Sequence, residues 1–476
     1  MPLISSSVNS SGRLRALGSV LVALGAAMAL RPGTGLGQET PSSGVPAPVG
    51  DSEAATPSRP AVPAPGIFQP FSGGAAGLPP AAPGQTVIVP RSATYLPSSL
   101  PLPERLGAGR GYRVGDFALQ SVTSTGLAYD DNIDATDKNR KSDFIWSLQQ
   151  GVRAQSLFRR HSLGFQATAG TSRYFEHSSD SSINWLVGTD GRLDFTPRSS
   201  LSGFLTYTRD KESPEEPGAS SDSSDNTFDL FNGGLSYNQQ FQRFDWSLSG
   251  NGSRTEYESG DDNGRDNWSY GVSTRLGYEI NQELSIFVTP TYDRTTYDES
   301  TDRNGEDQDS HGYSLSAGAS YEVGPRLSAT GSVGYGWVFA DDDAQGVIFD
   351  GSLNYVIDGQ TSANLGVSRS IGDTNVDGAS AETTTGVTAG VTRAIRRDMA
   401  VGLTLGASRN EFEGIDSKND AIFATLGYGY TFNDSLTFSA DYRYIQRFSS
   451  GDDSNDEQGL DSYYKNVFFI GLTLRL

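Results

Sequence analysis

The stretch Ile422–Phe448 alternates apolar and polar residues through two runs separated only by Asn433-Asp434. Ile422, Ala424, Leu426, Tyr428, Tyr430 and Phe432 share one parity of the first run, and Thr425, Gly427, Gly429 and Thr431 fill the other. Leu436, Phe438, Ala440, Tyr442 and Tyr444 carry the apolar parity across the turn, against Thr437, Ser439, Asp441 and Arg443. Successive side chains of a strand point to opposite faces, so the stretch reads as a hairpin with one greasy and one polar face. The same plan recurs from about residue 116 to the last residue. It fits either a half-wet soluble sheet or a membrane barrel that is greasy outside and wet inside.

The connections decide between the two. Short turns at Arg159-Arg160, Pro197-Arg198, Asn281-Gln282, Gly324-Pro325, Asp358-Gly359, Arg396-Arg397 and Asn433-Asp434 alternate with long acidic stretches such as Lys211 to Asp225 and Asp298 to Asp309. A soluble sandwich has no reason to segregate loop length by parity, whereas an outer-membrane barrel has short periplasmic turns and longer exterior loops. We therefore expect an all-β fold, a transmembrane antiparallel up-and-down β-barrel of about 18 strands, within a range of roughly 16–20. Closure also solves the backbone problem, because it leaves no unpaired edge in hydrocarbon.

Composition agrees. The chain has 56 Gly and 3 Met in 476 residues, and a mean hydropathy of −0.42. No window approaches the roughly 20 unbroken apolar residues of a membrane helix, so any crossing falls to strands. The absence of cysteine excludes disulfides, thiolate metal sites and cysteine nucleophiles. A net charge of −21 argues against nucleic acid as a partner.

At the amino terminus, Arg13 and Arg15 precede an apolar run from Leu17 to Leu30 and the small-residue exit Gly35-Leu36-Gly37. Residues 1–37 read as a signal peptide cleaved after Gly37, with Ala29 as the other candidate and a short anchor helix as the alternative. Residues 38–114, rich in Pro, Ala and Gly, read as a disordered periplasmic linker. Residues 115–476 form the barrel.

Leu327, Ala329, Val333, Tyr335, Trp337 and Phe339 are expected to face lipid, as are Leu201, Leu205 and Tyr207, and Val401, Leu403 and Leu405. Aromatic residues near strand ends, among them Tyr292 to Tyr297 and Tyr463-Tyr464, read as belts at headgroup depth. Pro290 lacks a ladder donor and predicts a bulge or register break. The opposite parity carries Arg153, Asp190, Arg192, Asp194, Asp245, Arg275, Glu279, Asp293, Asp350, Asp441, Arg443 and Arg475. In hydrocarbon each charge would cost on the order of 2–4 kcal/mol, so these twelve are the candidate lumen lining. A hydrated wall of ion pairs and a selectivity ring are both compatible with the mixed signs. The loop from Lys211 to Asp225 reads as too short to narrow the lumen, which leaves the Pro-rich segment as the plug candidate.

Little else points to chemistry. His161, His177 and His311 are the only histidines, and His177 with Glu176 and Asp180, or with Asp130-Asp131, is the one arrangement that a rim hydrolase could use. The loops Asp261 to Asn267 and Asp302 to Asp309 resemble calcium loops only in acid density. No enzyme activity, cofactor or metal is expected.

The leading stretch PERLGAGRGYRVGDFALQ, the following STGLAYDDNIDATDKNRKSDFIWSLQQGVRAQS and the later DGRLDFTPRSSLSGFLTYTRD resemble the opening hairpins of the putative beta-barrel porin 2 family of outer-membrane proteins. In it, Tyr129-Asp130-Asp131-Asn132 ends the first strand and Asp190-Gly191-Arg192-Leu193 belongs to a later one. The resemblance runs from about Pro103 to the end and implies a Gram-negative outer-membrane barrel. It carries over no catalytic residues. It implies exopolysaccharide export as one cargo, so the expected function is a porin-like channel or conduit for small solutes or exopolysaccharide. The alternatives are a plugged structural or surface-interaction barrel and, third, a rim hydrolase. Expected partners are outer-membrane lipid and lipopolysaccharide, the barrel-insertion machinery and polysaccharide-export components. The closing strand ends on Leu476, where such barrels usually end on an aromatic.

Overall fold

The computed structural model describes residues 112–216, 227–258, 263–302, 305, 307–374, 376–451 and 462–476. Residues 1–37, read above as a signal peptide, and most of the Pro-rich segment lie outside the described residues.

A short ribbon, β1 (Tyr112–Val114), pairs only with β2 (Phe117–Asp130). There follow β3 (Asp143–Ser156), β4 (Ser162–Tyr174), β5 (Ser182–Thr196), β6 (Ser199–Lys211), β7 (Thr227–Gln240), β8 (Phe244–Tyr257), β9 (Asn267–Glu279) and β10 (Leu284–Tyr297). The second half comprises β11 (Ser310–Val323), β12 (Leu327–Phe339), β13 (Ala344–Val356), β14 (Thr361–Gly372), β15 (Ala381–Arg396), β16 (Met399–Glu413), β17 (Ser417–Thr431), β18 (Leu436–Gly451) and β19 (Tyr463–Arg475). Each strand from β2 pairs antiparallel with the next, and β19 returns to β2. The result is a closed barrel of 18 strands, β2 to β19, in up-and-down order. Leu476 exchanges both backbone hydrogen bonds with Ser121 at 2.9 Å, so the last residue completes the seam ladder.

Two faces follow from strand parity. One exposes large apolar side chains, Leu235 at 62%, Val333 at 59% and Leu426 at 54% among them. The other carries buried Ser, Thr and Asn together with the charged side chains. An open apolar face around a polar interior is the reverse of a soluble barrel and the pattern of a wall between lipid and water. Among the described residues no helix is long and apolar enough to cross a membrane.

One end carries the short connections; we call it the turn end. Three of its turns share a device: Asn281, Asp358 and Asn433 each accept, through one side-chain oxygen, the N–H groups two and three residues on. Such Asx turns close tight hairpins through hydrogen bonds local to the turn. The other, loop end is less regular than loop length implied. The connections 340–343 and 414–416 are as short as the turns, because β17 begins within the acidic stretch at Ser417.

Pro290 breaks no register. Its ladder to β11 runs unbroken through Pro290↔Leu315, and only the pairs facing β9 at residues 289 and 290 are missing before the same register resumes at Thr291↔Ser273. The missing donor is thus confined to one side of one strand. The register shifts lie instead at Asp194/Thr196 and Ala394/Arg396, beside turn-end hairpins.

Candidate functional site

All twelve candidate lining residues lie on the polar parity of their strands. Toward the turn end they fold flat against the wall. Arg153 lies 3.1 Å from Asp190 on a non-adjacent strand, and Arg192 lies 2.8 Å from Asp194. Arg275 covers the ring of Phe287 with its guanidinium 3.5 Å from the centroid. Arg475 donates to the Thr437 hydroxyl at 3.3 Å. Asp190 and Asp245, and toward the loop end Asp293, each rest over the glycine opposite them in register, Gly164, Gly277 and Gly312. Phe287 and Phe423 do the same over Gly318 and Gly406. A Cβ at any of these glycines would collide with the side chain above it, so glycine makes room for bulky lumen residues to lie along the wall. Glu279 ends β9 at the turn end, and Asp350 and Asp441 stand near mid-strand on β13 and β18. These twelve residues do not form one ring: they spread over eight strands and several depths.

At the loop end the wall closes inward, against the sequence-based expectation that no loop narrows the lumen. Three connections bend in. The first, 131–142, inserts Ile133 against Ala128, Ile145, Val467 and Phe469, and Ala135 against Ile445, Tyr463 and Phe423. It is anchored at the barrel seam. Asp130 lies 2.8 Å from the ammonium of Lys465, with both side chains almost fully buried. Asp131 accepts the backbone N–H and the side-chain amide of Asn466, each at 2.7 Å, and Asn132 donates to the carbonyls of Thr136 and Tyr464. The run Tyr129 to Asn132 therefore clasps the first barrel strand to the last.

The second connection leaves β6. Glu212 forms a buried bidentate pair with Arg265, at 2.6 and 3.2 Å. Glu215 then reaches across the mouth to β18 and β19, past the four intervening strands β2 to β5. Its carboxylate lies 3.0 Å from Lys465 and 3.7 Å from Arg443, and Arg447 donates to its backbone carbonyl. Burial pushes this carboxyl up, but Lys465, Arg443 and Arg447 outweigh that and hold it at about 2.

The third connection, around 373–380, packs Val376 against Phe412. Asp373 accepts from the Tyr297 hydroxyl at 2.8 Å and from Ser310 at 3.2 Å. Burial, assisted by nearby Asp293, raises the Asp373 carboxyl to about 7 against these hydrogen bonds. Two aromatics read as belt residues thus belong to the interior: Tyr297 and Tyr463 are buried on the lumen parity, while their neighbours Thr296 and Tyr464 take the outer one.

The histidines are apart. His161 accepts the Asp194 N–H near a turn, and His311 stacks on Phe339 on the outer face at 5.1 Å. The His177 ring lies 3.1 Å from Asp143, whose carboxylate also accepts the N–H groups of Phe175, Glu176 and His177. Asp143 thereby fastens the loop after β4. Among the described residues no group of three His, Asp or Glu is placed to hold a metal ion.

Sequence reasoning did not single out Lys465, Arg447 and Glu215. The signal available was three cations on the same parity of two neighbouring strands in a strongly acidic chain.

The model of the family described as Putative beta-barrel porin 2 matches residues 107–476. No curated protein is matched by the chain. Similar solved structures include the siderophore receptor PirA from Pseudomonas aeruginosa, 9% identical, covering 75% of this chain and 80% of that one, with a TM-score of 0.40. OmpT of Vibrio cholerae is 12% identical, with 77% and 100% covered and a TM-score of 0.34. The anion-selective porin from Comamonas acidovorans is 13% identical, with 76% and 99% covered and a TM-score of 0.35. At these scores the overlaps carry no argument about what passes through the barrel.

Proposed function

The chain belongs to the putative beta-barrel porin 2 family, and from that premise we propose that it is an outer-membrane conduit for small solutes or exopolysaccharide, narrowed at its exterior mouth. In this reading the turn end is periplasmic and the loop end faces the cell exterior, with residues 1–37 serving as the export signal. Lipid and lipopolysaccharide surround the apolar face, the barrel-insertion machinery assembles it, and polysaccharide-export components deliver cargo from the periplasm.

The observation that carries this reading is the lumen wall at the turn end. Barrels of this strand number leave an aqueous interior unless something fills it. Here the ion pairs Arg153–Asp190 and Arg192–Asp194 lie along the wall. Charged side chains folded onto glycines line a passage rather than fill it. The proposal assigns no catalytic role, since Asp143 and His177 are accounted for by loop anchoring. Liposome swelling tests it: vesicles containing the folded protein should swell in isotonic small sugars faster than empty vesicles.

A second reading, a plugged surface barrel, is supported by the apolar contacts of Ile133, Ala135 and Val376 inside the mouth. It predicts no swelling beyond the empty-vesicle rate.

A further inference from the structure

Arg443 and Arg447 on β18 and Lys465 on β19 converge on the lumen face. In register Arg443 stands opposite Val467, Ile445 opposite Lys465 and Arg447 opposite Tyr463, so the lysine projects between the two arginines. Lys465 is shared between Asp130 at 2.8 Å and Glu215 at 3.0 Å. Asp130 is built into the seam, and Glu215 comes in from a connection to lie against Lys465, Arg443 and Arg447. In a chain of net charge −21, such a cluster needs a purpose beyond barrel closure, which Lys465 and Asp130 already serve.

Glu215 is a different kind of partner from Asp130. It belongs to a connecting segment rather than to a ladder, and no register holds it in place. Its low carboxyl pKa, about 2, reports how strongly the three cations favour an anion at this point. Guanidinium groups and an ammonium together favour carboxylate oxygens.

We propose that Arg443, Arg447 and Lys465 form a binding site for carboxylate-bearing solutes near the exterior mouth, and that Glu215 is its resident stand-in, exchanged when such a solute arrives. The proposal rests on the conduit reading for its biological use, though not for its chemistry. A tethered carboxylate competes at an effective concentration of order millimolar. An isolated monocarboxylate therefore displaces Glu215 poorly, whereas a chain of acidic sugars, presenting many carboxylates in succession, displaces it readily.

The test is calorimetric titration of sodium glucuronate into the full-length, detergent-folded protein, with sodium chloride at matched ionic strength as the control. Glu215→Gln removes the stand-in and is expected to bind glucuronate about tenfold tighter than the unaltered chain, a difference of about 1.4 kcal/mol. Adding Arg443→Gln to that variant should abolish the gain. Glu215→Ala, with folding checked by heat-modifiable gel mobility, should reproduce it. Equal affinities for the unaltered chain and both Glu215 variants, or a gain that survives Arg443→Gln or is matched by chloride, would overturn the site. Ion current through the same variants is read separately. The binding gain without any current sinks the conduit reading and leaves the site standing, and current without the gain does the reverse.

Discussion

The Lys465 ammonium sits 2.8 Å from the Asp130 carboxylate, joining residues 335 positions apart at the point where the barrel's last strand meets its first. Both are buried, and removing one partner of a buried pair leaves the other charge uncompensated, at a cost of about 3–5 kcal/mol. Lys465→Met and Asp130→Asn should each lower the temperature at which the barrel loses its heat-modifiable gel mobility. In a double-mutant cycle the combined variant should lose less than the sum of the two.

Lipid and water are assigned to opposite faces of β17. Leu426→Arg should cost about 2–4 kcal/mol of unfolding free energy in lipid vesicles, because Leu426 lies near mid-strand on the apolar face. Thr425→Arg, one residue away on the polar face, should cost far less. Urea titration of both variants checks the difference, and equal costs would invert the parity.

Glycines of the barrel wall and of its turns differ sharply in tolerance. A Cβ at Gly318 would strike the Gly331 carbonyl and the Phe287 ring, whereas one at Gly359 meets nothing within 4 Å. Gly318→Ala should destabilise by about 1–3 kcal/mol, the usual cost of overpacking. Gly359→Ala should be close to neutral in the same assay.

Asp373 supplies a pH dependence of known sign. Its folded-state pKa, about 7, lies above the ordinary 3.8, so between these values the folded chain holds a proton that the unfolded chain has lost. The stability contributed by this group is complete below about pH 4, falls as pH rises toward 7 and is flat beyond. Asp373→Asn, which cannot ionise, should show a flatter melting profile across that window. Parallel slopes for the two proteins would contradict the assignment.

Much of this was legible because lipid and water sort side chains by parity, and β17 and β18 announce that sorting residue by residue. Asn281, Asp358 and Asn433 were legible as turns because Asx hydrogen bonding is local. Pro290 misled because a missing donor costs only the side of the strand it faces, and the β11 ladder carries the register alone. Tyr297 and Tyr463 misled for another reason: aromatic identity was weighed above parity, although Tyr463 shares the parity of Val467 and Phe469. The inward turn of Glu215 has no local signal. An acidic residue in an acidic loop reads as solvated, and only the folded barrel brings Lys465 to it across 250 positions.

The conduit is tested most directly by single-channel current across a planar bilayer, with the full chain and with residues 39–110 deleted. Discrete steps whose size grows with salt concentration, in at least the shortened chain, are the predicted result. A folded, inserted barrel that passes no current in either form would contradict it.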